Sequence, residues 1–240
     1  MHPNCFPHRL SRESGCFHRA HYEPNFACSH ERRIGLKGDG GKWACDPHRV
    51  SKPKNEKEGE CLVYSVGSRN EFDFEEGVFK DINSTCEIHT FDPGNFTEAG
   101  KKAGVHYHMM AIGTEDRGKH RSLQSIVKEL GHEGRTIDAF KIDCEGCEWT
   151  TVKTWFNINA TLRQMQVELH GVKTPETKDF FDTIEDNNCV ITRKEPNIAF
   201  LMGFEPGWPT HAIEHAFLKL SPEFFKGVKD SETEANSTAS

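Results

Sequence analysis

Several short stretches of this 240-residue sequence carry side chains whose types and order suit nucleoside binding and group transfer beside it. Ser65-Val66-Gly67-Ser68-Arg69-Asn70 follows an apolar run, and Gly67 would let the backbone pass a ligand with no Cβ in the way. Asp92 stands 25 residues beyond Gly67, where a carboxylate can accept both hydroxyls of a ribose. An Asp at such a place can equally cap a turn. Gly113-Thr114-Glu115-Asp116 offers a polar loop for an adenine edge, and Asp143, Glu145, Glu168 and His170 end two further apolar runs. His170 is the first candidate for a general base, since an imidazole ordinarily titrates near neutrality. Its other reading is a hydrogen-bonded histidine at a strand end. Asp143, Glu145 and Glu168 could orient an acceptor or hold a divalent cation. No metal is assigned, because Asp143 and Glu145 also precede a helical stretch and suit its positive end. Cys144-Glu145-Gly146-Cys147 has C-x-x-C spacing, but it follows the fourth strand of a large fold, so a structural pair is expected there rather than redox catalysis.

Positioning these groups requires strands that all end on one side. Short apolar or β-branched runs occur at 61–67, 87–92, 105–112, 137–143 and 164–169. Helical spacing separates them at 71–82, 121–131, 147–156 and 175–187; Leu123, Ile126, Val127 and Leu130 trace the i, i+3, i+4, i+7 stripe. Such alternation predicts right-handed βαβ units and a parallel sheet covered on both faces. In that arrangement ligands bind beyond the carboxyl ends of the strands, so the groups above should face one crevice. The rhythm changes after 188: runs at 189–194 and 212–220 predict two closing strands with a loop at 203–210 between them. The Gly-Asp-Gly-Gly turn and Trp43 within 33–47 are expected to fold over the crevice, the indole giving apolar cover. The alternative is an ordinary turn that packs Trp43 against a helix.

Composition narrows the partners. The formal net charge is −7, with residues 1–50 at +3 and the rest at −10. An acidic body argues against a nucleic-acid partner. The basic start reads as a solvated arm, and no run is long and apolar enough for a membrane span. The first residues show no secretory signal. Nine cysteines and the sequons at Asn83, Asn95, Asn159 and Asn236 point instead to an oxidising compartment, so localisation stays open. A zinc site among Cys5, Cys16, Cys28, Cys45 and the nearby histidines lacks the close cysteine pairs of structural zinc modules; disulfides or surface histidines are the expectation.

The run IDAFKIDCEGCEW (137–149) resembles the K-I-D-x-E-G-x-E signature of FkbM-type S-adenosylmethionine methyltransferases. RRIGLKGDGGKWACDP (32–47), CLVYSVGSRNEFDFE (61–75) and CEIHTFDP (86–93) resemble more closely the methyltransferase-like twenty-four group, and QVELHG (166–171) and EHAFLKL (214–220) fit the same pattern. The resemblance implies a Rossmann-like α/β fold: a class I methyltransferase three-layer sandwich whose mostly parallel seven-stranded sheet ends in a C-terminal antiparallel pair. It implies S-adenosylmethionine as cofactor, held by Ser65, Gly67, Ser68, Asp92, Glu115 and Asp143. It implies catalysis by His170, Asp143, Glu145 and Glu168, and O-methylation of a small-molecule, glycan or lipid acceptor whose identity the sequence does not give. A protein acceptor is the alternative. Departures exist: Ser65 stands where an acidic residue usually ends the first strand, and Arg69 and Glu71 stand where glycine is common. They motivate a third reading, a secreted protein on this fold that has lost activity. The absence of G-x-G-x-x-G argues against a dinucleotide, whose pyrophosphate would lack a cradle. The expected organisation is an irregular arm over 1–32, a methyltransferase domain over 33–228 (lead-in 33–60, core 61–220) and a disordered tail over 229–240. The oligomeric state is not readable.

Overall fold

The computed structural model describes residues 21–50, 61–171, 176–197 and 212–221, so the tail over 229–240 and the first twenty residues lie outside the described residues. A hairpin comes first, β1 (Glu31–Ile34) with β2 (Lys42–Cys45). Then follow β3 (Leu62–Val66), α1 (Asp73–Asp81), β4 (Glu87–Phe91), α2 (Thr97–Ala103), β5 (His106–His108), β6 (Ala111–Gly113) and β7 (His120–Ser122). The remainder is α3 (Leu123–Glu129), β8 (Thr136–Ile142), α4 (Cys147–Trp155), β9 (Thr161–His170), α5 (Glu176–Asp186), β10 (Cys189–Pro196) and β11 (Ala212–Lys219).

Seven strands form one sheet in the order β10-β11-β9-β8-β3-β4-β5. The pairs β3–β4, β4–β5, β3–β8 and β8–β9 are parallel, while β11 runs antiparallel to both of its neighbours. The expected closing strands are both present. The pair β10–β11 is antiparallel as expected, with β11 inserted between β9 and β10.

Alternation along β3 divides its side chains between two cores. Leu62, Tyr64 and Val66 pack with α3, α4 and α5, whereas Cys61 and Val63 pack with α1 and the hairpin residues Ile34 and Ala44. Layers on both faces of a sheet are the three-layer sandwich. Fully buried Trp155, Phe140 and Phe180 anchor the first face, each worth about 1.5–3 kcal/mol or more by the area it hides from water. The hairpin packs on α1 through Gly77, where a Cβ would lie 2.3 Å from the Gly35 nitrogen. Residues 21–30 have no regular structure and lie along β10: Ile191 donates to Asn25 Oδ1 at 2.8 Å, and Tyr22 stacks on Phe181.

Three departures from the sequence reading have local causes. The run 105–112 divides because β5 loses its partner: Asp92 donates to the His108 carbonyl at 3.1 Å, and beyond Asp92 no strand continues. The chain turns at Met110, and Ala111–Gly113 pairs with β7 instead. The short helix α2 has no apolar stripe to announce it; it packs through Gly100, whose missing Cβ makes room for the Tyr107 ring. Helix α3 starts at Leu123, since Ser122 Oγ accepts from the Ser125 amide at 3.2 Å and caps it.

Candidate active site

After β3 the chain passes to β4 and β5 on one side, then returns to β8 and β9 on the other. The switch in strand order therefore lies between β3 and β8, and a cavity of about 500 Å³ opens there. Residues just after β3, β4 and β8 and at the end of β9 line it, together with Asp39 and Gly40 from the hairpin turn. The strand ends are stapled as a staircase: Gly67 donates to the Phe91 carbonyl at 2.9 Å and Asp143 to the Val66 carbonyl at 3.0 Å.

At one end of the cavity sits Asp92. Its Oδ2 accepts from the amides of Ser68 and Arg69, both at 2.9 Å, and its Oδ1 accepts from the Gly94 amide at 2.7 Å. The carboxylate thus fixes the loop after β3 while still facing the cavity. Phe91, Phe96, Ala111 and Ile112 give this end apolar walls. Gly67 has φ of +77°, and a Cβ there would lie 1.7 Å from the Asp143 carbonyl oxygen. Its glycine is required by the neighbouring loop of the protein itself, a different reason from the ligand approach expected from sequence.

At the other end Asp143, Glu145, Glu168 and His170 converge, as their places on β8 and β9 lead one to expect. His170 Nε2 lies 3.6 Å from Asp143, 3.7 Å from Glu145 and 3.8 Å from Glu168. Its Nδ1 lies 2.8 Å from Glu148, a fully buried carboxylate in the first turn of α4 that also accepts from the His170 amide at 2.9 Å. Burial alone would lower the His170 pKa, but Glu148, then Glu168 and Asp143, more than reverse this and lift it to about 9. The carboxylates around His170 therefore favour its charged form. That environment differs from the ordinary imidazole assumed when His170 was read from sequence as a base near neutrality.

The sequence reading missed the cations of this wall. Lys42, from β2, is almost completely buried; its Nζ donates to Glu168 at 2.8 Å, to Glu214 of β11, and to Asp143 at 3.4 Å. Burial would lower its pKa, but Glu214, Asp143 and Glu168 together raise it above the ordinary lysine value. Lys141 donates to the carbonyls of Gly67 and Val66 and lies 3.8 Å from Asp143. Burial opposes the ionisation of Asp143, yet Lys141, Lys42 and His170 hold its carboxyl well below the usual range. Burial drives Glu214 the opposite way, up from its ordinary value, with Lys42 pulling against it. Asn197 completes the wall, donating to Glu168 at 2.8 Å and to Asp39 at 3.1 Å. A signal for these residues existed: Lys141 and Glu214 stand inside runs that read as buried central strands, where a charge must find a partner.

Two expected contacts are not brought to the cavity. The Ser65 side chain is buried on the α1 face, and its hydroxyl has no hydrogen-bond partner among the described residues. Glu115 is exposed and does not line the cavity, where Ala111, Ile112 and His120 stand instead. Arg69 and Glu71 do line it, and Arg69 reaches Asp39 of the hairpin turn at 3.3 Å. The hairpin therefore folds over the cavity through Asp39 and Gly40, but Trp43 does not cover it. That ring lies beneath the Arg193 guanidinium at 4.3 Å and donates to Glu195 at 2.8 Å. The C-x-x-C pair Cys144–Cys147 is a disulfide at the cavity wall; Cys28–Cys45 and Cys61–Cys86 are also joined, and Cys5 and Cys16 lie outside the described residues.

Residues 2–208 match the model of a family described as a methyltransferase domain. No curated protein matches the chain. Among solved structures, M. capricolum TrmK in complex with S-adenosyl-homocysteine is similar over 72% of this chain and 67% of its own, at 12% identity and a TM-score of 0.45. The O-methyltransferase from Bacillus cereus, also in complex with that product, is similar over 66% and 74%, at 9% identity and 0.43. A precorrin-6y C5,15-methyltransferase from Geobacter metallireducens is similar over 71% and 84%, at 8% identity and 0.40.

Proposed function

The chain belongs to this methyltransferase-domain family, and we propose that it transfers the methyl group of S-adenosylmethionine to an oxygen of a small-molecule, glycan or lipid acceptor. The observation that carries the reading is one cavity joining Asp92 and its apolar surround to the wall of Asp143, Glu168 and His170. Asp92, Ser68 and Gly67 would hold the nucleoside, with Phe96 and Ile112 beside the adenine; the residues present fit the group. When bound, the cofactor supplies a methyl group activated on a sulfonium, so the protein need only align the acceptor, exclude water and take a proton. His170, whose charged form the surrounding carboxylates favour, donates from Nε2 and orients the acceptor oxygen. The partly exposed Glu145 is the carboxylate best placed to pass the departing proton to solvent.

Within the family, Lys141-Ile142-Asp143, Glu145-Gly146 and Glu148 support an FkbM-type assignment of the methyltransferase-like twenty-four group. Residues 33–228 form the methyltransferase domain in this reading. Three disulfides among the described residues support folding in an oxidising compartment. The test is a screen with methyl-labelled cofactor over phenols, glycans, lipids and peptides. Label in an ether or ester of one of the first three classes is the expected result. Label in peptide alone would replace this reading with protein methylation, and no label in any class despite cofactor binding would mean that activity has been lost.

A further inference from the structure

We infer that Glu87, His89 and His132 form a second site, away from the methyltransferase cavity, that binds a divalent ion of the zinc type. Glu87 opens β4 and Asp92 follows its end, so the two sites lie on the order of 16 Å apart along the strand. Glu87 and His89 are two residues apart and share a face of β4, and His132 reaches them from the turn after α3. Glu87 Oε1 lies 2.9 Å from His89 Nε2 and 3.0 Å from His132 Nε2, and one atom from each residue falls within 4.8 Å of the others. Two imidazoles and a carboxylate are the donor set that zinc takes, and three protein ligands leave a fourth position for water.

The surroundings match what such ligands need. A metal-binding imidazole is oriented by a partner on its other nitrogen. His89 Nδ1 lies 2.8 Å from His108 Nε2, His132 Nδ1 lies 2.7 Å from the Tyr64 hydroxyl, and Arg135 donates to Glu87 Oε2 at 2.7 Å. Both ligand histidines are buried, and the His106 ring stacks on His89 with centroids 4.8 Å apart. A ring that donates from Nδ1 to its partner has an Nε2 lone pair to offer a metal. Without metal, each Nε2–H donates to Glu87. With metal, each ring carries its proton on Nδ1, so entry needs a change of tautomer and no change of charge. The cavity cluster of Asp143, Glu168 and His170 is a poorer host, because the Lys42 and Lys141 ammonium groups already pair with its carboxylates.

The full chain, stripped with a chelator, is titrated with Zn²⁺ by calorimetry and with Co²⁺ by visible absorption. The expected result is one ion per chain and a rise in Tm with Zn²⁺. His132→Gln and Glu87→Gln should each weaken binding by about 100-fold or more, and Tyr64→Phe by about 10-fold. Circular dichroism establishes that each variant is folded, and the milder Tyr64→Phe keeps the test open if a ligand variant does not fold. Wild-type chain that takes up no zinc would overturn the inference. So would metal that survives all three substitutions or is lost with His170→Gln. Cofactor binding in the same preparation is an independent readout, so failure of either reading leaves the other standing.

Discussion

Replacing Glu148 with glutamine keeps one oxygen to accept from the His170 amide, turns an NH2 toward the Gly146 amide that the second oxygen served, and removes the charge 2.8 Å from His170 Nδ1. His170 titrates at about 9 in the folded chain against 6.5 as an ordinary imidazole. At about 1.36 kcal/mol per unit, the raised value corresponds to ~3 kcal/mol favouring the folded state, and burial of the ring justifies little reduction for solvent screening. A raised histidine pKa stabilises the fold fully below its unfolded value of 6.5 and ceases to do so as pH rises through 9. Wild-type stability in urea should therefore decline from about pH 6.5 to about pH 9 by a few kcal/mol, other groups held constant. Glu148→Gln should flatten that decline and return the His170 ring resonances, followed by NMR, to a midpoint near or below the ordinary imidazole value. If His170 in the wild-type chain titrates near 6.5, the imidazolium assignment is wrong and its role as a base at neutral pH returns.

Three further outcomes follow from the same geometry. Lys42→Met leaves the buried Glu168 without its cation and should cost about 3–5 kcal/mol in chemical denaturation; a loss under about 1 kcal/mol would mean that Lys42 does not hold this wall together. Gly67→Ala drives a Cβ into the Asp143 carbonyl at positive φ, and a destabilisation of about 3 kcal/mol or more is expected by thermal melting, an unchanged Tm being the contrary result. Removing the Cys61–Cys86 bridge by a double Cys→Ala change releases a loop of 25 residues, which chain entropy values at ~3.5 kcal/mol, measured in urea without reductant. No effect there would show that the bridge does not constrain the unfolded chain.

Much of the architecture is legible in the sequence because long-period signals carry it. The stripe Leu123, Ile126, Val127 and Leu130 marks α3, and the β-branched runs around Val63 and Ile142 mark central strands. Short elements escape: α2 is polar and packs through Gly100, and the break at Met110 depends on where β4 ends, a tertiary fact. In the cavity, the strand-end rule brings together Asp143, Glu145, Glu168 and His170 from sequence alone. It fails for Ser65, whose side chain points to the other face by the alternation of β3, and for Glu115, which lies past a strand that leaves the sheet. Lys42 is invisible to the rule because it comes from a hairpin outside the sheet. The charge state of His170 is likewise hidden, since Glu148 sits 22 residues before it in the chain and meets it only through the packing of α4 on β9.

The central claim is that the cavity between β3 and β8 is an S-adenosylmethionine site anchored by Asp92. Calorimetric titration of the chain with S-adenosylhomocysteine and, separately, with NAD tests it most directly, using wild type and Asp92→Ala. One product molecule should bind per chain, NAD should give no binding heat, and Asp92→Ala should weaken the product by about 1–3 kcal/mol, the value of hydrogen bonds to a charged group left unmade. Binding of NAD in place of the product, or a product affinity indifferent to Asp92, would contradict the account.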